Sequence, residues 1–116
     1  MTGPSKRKGD RAELEVQAML RDHLGVPARR ALGAGRKDDM GDIEWPGSNT
    51  VIQVVDWKDL AAAVRTKPLE AERQRLQYEQ KIGEPAYAAT FVRIRGGNYV
   101  VCMTPDQFFA LWRESA

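Results

Sequence analysis

Asp42, Asp56 and Lys58 fall inside one stretch, GDIEWPGSNTVIQVVDWKD, where charged side chains sit at the ends of two apolar segments. A charge beside an apolar strand must reach water or find a partner, and two converging carboxylates repel each other unless a cation lies between them. Mg2+ suits such a place: it takes oxygen ligands, keeps several waters, and is usually held by one or two carboxylates together with substrate phosphate. A lysine beside the ion can position or help deprotonate an attacking water and offset charge on a pentacoordinate phosphate. Glu13 supplies a third carboxylate that could complete or orient the set, with Glu15 as its alternative. These residue types suit phosphodiester hydrolysis, with Asp42, Asp56 and Glu13 around the metal and Lys58 at the water. From spacing alone a salt bridge at a strand end is the competing explanation, because Asp-X-Lys recurs by chance.

The chemistry requires elements that converge. Leu14, Val16, Ala18, Met19, Leu20 and Leu24 recur mostly at helical spacing, which predicts a helix over 11–23 that carries Glu13 and ends at Gly25 and Pro27. His23, near its end, reads as a partner of the helix dipole rather than a general base. GAGRKDDMG at 33–41 is too rich in Gly and charge to pack and predicts a flexible surface loop. It lacks the Gly-Lys-Ser/Thr of a phosphate loop, which argues against a nucleotide site. Strands over 42–45 and 50–57, joined by Pro46-Gly47-Ser48-Asn49, predict an antiparallel hairpin. Strand alternation puts Asp56 and Lys58 on one face and Gln53 and Val55 on the other. Residues 51, 52, 54 and 55 are all apolar, so the pattern leaves open which face Asp42 shares.

Over 59–82 the composition favours helix, read as a short helix and a longer one, with Pro68 breaking the run or starting the second. Strands at 86–94 and 98–103 flank Gly96-Gly97, a hairpin turn signal. Thr104 as N-cap and Pro105 at the first helical position open a last helix, whose Phe108, Leu111 and Trp112 are expected in the core or at a dimer interface. The order is α-β-β-α-β-β-α, an α/β class.

A chain of 116 residues buries one modest core, so a single domain over 9–116 is expected behind a basic, flexible arm at 1–8. No apolar run approaches the roughly 20 residues that span a bilayer, and no membrane partner is expected. The basic N-terminus is not followed by a signal-type apolar segment, and Cys102 is the only cysteine, which rules out an intramolecular disulfide and fits a cytoplasmic location. Cys102 itself is expected to be a small buried side chain. The formal net charge is only +2, but Lys6, Arg7, Lys8, Arg29, Arg30, Arg36 and Lys37 crowd two segments, and Arg93 and Arg95 flank a turn. They read as a phosphate-facing stripe or as scattered surface charge.

Two features occur in a specific order: Lys8-Gly9-Asp10-Arg11-Ala12-Glu13 opening a helix, then Arg30 and the small-residue loop Gly33-Ala34-Gly35 before Gly41-Asp42-Ile43. In this the chain resembles the archaeal-type Holliday junction resolvases of the PD-(D/E)XK nuclease superfamily. The resemblance implies a restriction-endonuclease-like core, with a central mixed β-sheet flanked by helices and with Glu13 and Asp42 in the active site. It also implies Mg2+ or Mn2+ as cofactor, cutting of DNA at four-way junctions, and a homodimer. DNA phosphates would meet Lys6, Arg7, Lys8, Arg29, Arg30, Arg36 and Lys37. One motif departs: without gaps, the family's Glu-X-Lys falls on Gln53-Val54-Val55. Either Asp56 and Lys58 have taken over, or Gln53 remains a ligand and Lys58 reaches back, or the fold only binds DNA. A related nuclease of restriction or phage genome processing is a further alternative.

Overall fold

The computed structural model describes residues 4–31 and 41–115, with side chains from residue 8 onward. Five strands form one mixed sheet in the order β1-β2-β3-β4-β5. They are β1 (Arg29–Arg30), β2 (Ile43–Glu44), β3 (Thr50–Val55), β4 (Tyr87–Ile94) and β5 (Asn98–Cys102), accompanied by helices α1 (Pro4–Leu24), α2 (Leu60–Ile82) and α3 (Pro105–Ser115). β3 and β4 are parallel, and every other neighbouring pair is antiparallel. A parallel pair needs a long crossover, which α2 supplies.

The faces of β3 explain why it is apolar throughout. Ile52 packs with Val16 and Leu20 of α1, whereas Val51 packs with Ala71 and Val55 with Ala63, both of α2. Alternate residues of a strand point to opposite faces, so α1 covers one side of the sheet and α2 the other. A strand buried on both faces reads as a continuous hydrophobic run. The general α/β architecture, a mixed sheet flanked by helices, is as expected.

Four expectations about elements change. Residues 29–30 form an additional strand, held because Arg29 pairs with Glu44 and Arg30 with Ile43. Helix α1 begins at Pro4, so the segment expected as a flexible arm is helical from that residue. The two helices expected over 59–82 are one. Asp59 caps its start by accepting from the Ala62 N–H, and Gly83, at φ 72°, closes it by donating to the Glu79 carbonyl. An internal proline costs about 3 kcal/mol. Here Pro68 is buried inside α2 and its carbonyl accepts from Gln107 Nε2 at 3.0 Å. The long helix-favouring flanks, both caps and this contact offset the break.

The fourth change is in α3. Thr104 caps it as expected: its hydroxyl accepts from the Gln107 N–H, and Gln107 Oε1 accepts in return from the Thr104 N–H. The buried residue of the helix is Gln107, while Phe108, Leu111 and Trp112 are exposed, so they are not core. The helix docks through an amide that bonds α2 rather than through its apolar stripe. Cys102 is half-buried and not enclosed. The Gly96-Gly97 turn forms as expected, with both residues at positive φ. The 33–41 loop lies outside the described residues except for Gly41, as do Arg36 and Lys37 and the side chains of Lys6 and Arg7.

Candidate active site

Asp42 is placed by backbone first. Its N–H donates to the Ile52 carbonyl at 2.7 Å, and its own carbonyl accepts from the Ala31 N–H at 2.9 Å. Gly41, at φ 84°, lies so close to β3 that a Cβ there would overlap the Ile52 carbonyl. Only glycine meets both conditions. Pairing of β2 with β3 ends at Ile43 and Ile52, and beyond it the Val54 N–H donates to the Asp42 carboxylate at 2.8 Å. The place where the two strands part is thus closed by a carboxylate.

Glu13 comes from α1. Ala12, Val16 and Leu20 face the core, and the adjoining flank of Asp10, Glu13 and Gln17 meets β1. Arg30 donates to Glu13 Oε1 at 3.0 Å and to Asp10 Oδ1 at 2.6 Å, and its backbone N–H donates to Gln17. Burial pushes the Glu13 carboxyl up, the Arg30 hydrogen bond opposes that, and the negative charge of Asp42 raises it further.

A cleft of about 520 Å3 joins these groups, lined by Glu13 and Asp42 together with Asp56, Lys58, Lys8 and Lys67. Sequentially distant residues from α1, the β2 edge, the end of β3 and α2 thus share one concavity, the usual setting of a ligand site. Asp56 is 10% exposed and held by Arg11 at 3.2 Å and Lys8 at 3.9 Å. Among the described residues no three acidic, His or Cys side chains are arranged to hold a metal ion. The expected set of Asp42, Asp56 and Glu13 is therefore not drawn together as a triple. Asp42 and Glu13 share the cleft lining and are the pair of carboxylates that could serve as protein ligands of a cation completed by water and phosphate.

Gln53 is not among the residues lining the cleft, and Val55 borders it only as an apolar wall. Gln53 Nε2 donates to Gln74 Oε1 on α2 at 2.7 Å, and Val55 packs between Ala63 and Val92. Both point to the α2 side, away from Ile52 and the α1 face. Of the expected phosphate contacts, Lys8 lines the cleft, Arg29 is paired with Glu44 at 2.8 Å, and Arg30 is the clamp on Glu13. Glu15, read as the alternative to Glu13, instead accepts from Arg93 and Tyr99.

Lys67 was not singled out from the sequence. Its ammonium lies 5.3 Å from the Trp57 ring centre and 3.5 Å from Glu70. The available signal was its spacing of four from the buried Ala63, which puts both on one side of a helix. No family model matches the chain, and no match was found among curated proteins. Among the described residues no helix is long and apolar enough to cross a membrane.

Proposed function

We propose that the protein is a metal-dependent DNA endonuclease that cuts at branched structures, as the resemblance to the resolvases of the PD-(D/E)XK superfamily implies. The observation that carries this reading is the single cleft lined by the carboxylates of Glu13, Asp42, Asp56 and Asp59 together with Lys58, Lys67 and Lys8. Asp42 and Glu13 would hold Mg2+ or Mn2+, which supplies charge stabilisation at phosphate and an activated water. Lys58 positions that water and offsets charge on the phosphate, and Lys67 adds a second ammonium to the wall. Asp56 holds Lys8 and Arg11 where DNA phosphate would pass. Arg30 orients Glu13.

A two-fold homodimer would present two clefts to opposed strands of a four-way junction. The exposed Phe108, Leu111 and Trp112 of α3 support such a contact between two copies. The test is nicking of a labelled four-way junction against linear duplex, with Mg2+ or Mn2+ and with chelator. Paired, metal-dependent cuts confined to the junction are expected. Equal cutting of both substrates points to a nuclease of other DNA.

A second reading, a DNA-binding module without catalysis, has its own observation: of the positions that align with the family's Glu-X-Lys, Gln53 is bonded to Gln74 on the α2 side, and Val55 borders the cleft with an apolar side chain that can neither hold a metal nor offset charge. Binding with no cutting under any metal would favour it.

A further inference from the structure

A second recess, of about 360 Å3, adjoins the carboxylate cleft and shares Lys8, Asp56, Trp57 and Lys58 with it. Its distinctive walls are Arg11 on α1 and Arg93 and Arg95 at the end of β4 and its turn. Five cationic side chains therefore surround one carboxylate. That carboxylate, Asp56, is already shared between Arg11 and Lys8. Arg93 is fixed by Glu15 at 2.8 Å. Among the described residues Lys58 and Arg95 have no carboxylate within ion-pair distance, so the positive charge of the recess is not neutralised locally. Such an excess, gathered in a concavity, concentrates anions.

Resting on the reading of the neighbouring cleft as a phosphodiester site, we infer that this recess seats a second, uncut backbone phosphate of the same nucleic-acid strand. The shared wall sets the order: a strand lying across Trp57, which is 40% exposed, has one phosphate at Glu13 and Asp42 and another among Arg11, Arg93 and Arg95. Contacts of this kind position a strand without reading its sequence. The recess thereby fixes which bond enters the carboxylate cleft. β3 and β4 run parallel with Val55 opposite Val92, so Arg93 and Arg95, just beyond Val92, come out at the same end of the sheet as Asp56 and Lys58, just beyond Val55.

The test is a binding titration of a fluorescein-labelled four-way junction in EDTA, so that the readout does not depend on cutting. Each phosphate neutralised contributes a salt-dependence slope of about −0.9 on duplex DNA. Arg95→Ala should flatten the slope by about one unit, and Arg11→Ala with Arg95→Ala by about two, whereas Arg113→Ala on α3 should leave it unchanged. Melting of each variant checks folding, and Arg95→Gln offers a second, milder replacement at this exposed site. A slope unaffected by Arg95→Ala and Arg95→Gln, or a loss equalled by Arg113→Ala, would each overturn the inference. A parent that binds with the predicted slopes but never cuts with metal contradicts the nuclease reading and leaves this one standing. A parent that cuts, with slopes insensitive to Arg95, does the reverse.

Discussion

The Val54 N–H donates to the Asp42 carboxylate at 2.8 Å, across the point where β2 and β3 stop pairing. An amide that would otherwise lack a strand partner on that side is satisfied by the side chain proposed to hold metal. Position and chemistry of Asp42 are thus linked, and disturbing its backbone should disturb both.

Gly41→Ala is the direct test of that link. The substitution places a Cβ against the Ile52 carbonyl in a left-handed backbone conformation. Strain of this type costs on the order of 1–3 kcal/mol. Thermal or urea unfolding should show a loss of that size, accompanied by reduced cutting. An unchanged stability would mean that Gly41 does not sit tightly against β3.

Arg30 separates a clamp from a phosphate contact. It bonds Glu13 and Asp10 in a partly buried site. Hydrogen bonds to charged groups contribute about 1.5–3 kcal/mol. Arg30→Ala should therefore lower stability and cutting, while the salt dependence of junction binding stays near that of the parent. A slope flattened by a full unit with stability intact would restore Arg30 to the DNA-contact set.

The end of β3 gives a contrast within four residues. Val55 is 2% exposed between Ala63 and Val92, so Val55→Lys should destabilise by several kcal/mol, on the order of the cost of burying an unpaired polar group, and should not raise cutting. Lys58→Ala should leave the fold intact and reduce cutting by about 10²–10³-fold, the usual effect of removing one charge-stabilising donor. Lys67→Ala should cost less, because its ammonium also lies against Trp57 and Glu70. A folded, faster Val55→Lys variant would contradict the face assignment.

Glu15 predicts an acid limb. Hydrogen bonds from Arg93 and then Tyr99 hold its carboxyl below the usual glutamate range. A carboxyl depressed in the folded state contributes stability above its unfolded pKa and loses it as pH falls through the folded value. Glu15→Gln should therefore lower the melting temperature at pH 7, and the gap from the parent should close below about pH 4.3, the ordinary glutamate value. A gap that persists unchanged into acid would show that Arg93 and Tyr99 hold α1 to β5 without the charge.

Much of the scaffold was legible because its signals are local. The β2–β3 turn, the Gly96-Gly97 hairpin and the Thr104 cap are each specified within a few residues. Glu13, Asp42, Asp56 and Lys58 were singled out, and they do line one cleft. What stayed hidden depends on long-range contacts. Strand β1 is two residues long and exists through pairing with β2. Pro68 reads as a break because the contact from Gln107 that accompanies its burial comes from 39 residues away. The face of Asp42 could not be chosen because β3 is covered on both sides, and Arg30 resembles a phosphate contact until Asp10 and Glu13 are seen beside it.

Asp42 is proposed to serve a metal-dependent cut in DNA. Single-turnover cutting of a labelled four-way junction by the parent and by Asp42→Asn, with Mg2+ and junction binding measured alongside, tests it most directly. The asparagine keeps the shape and removes the charge, so the account predicts cutting by the parent, a loss of about 10²-fold or more in the variant, and binding equal or tighter. Cutting by Asp42→Asn at the parent rate, or a parent that binds junctions and never cuts them, would contradict it.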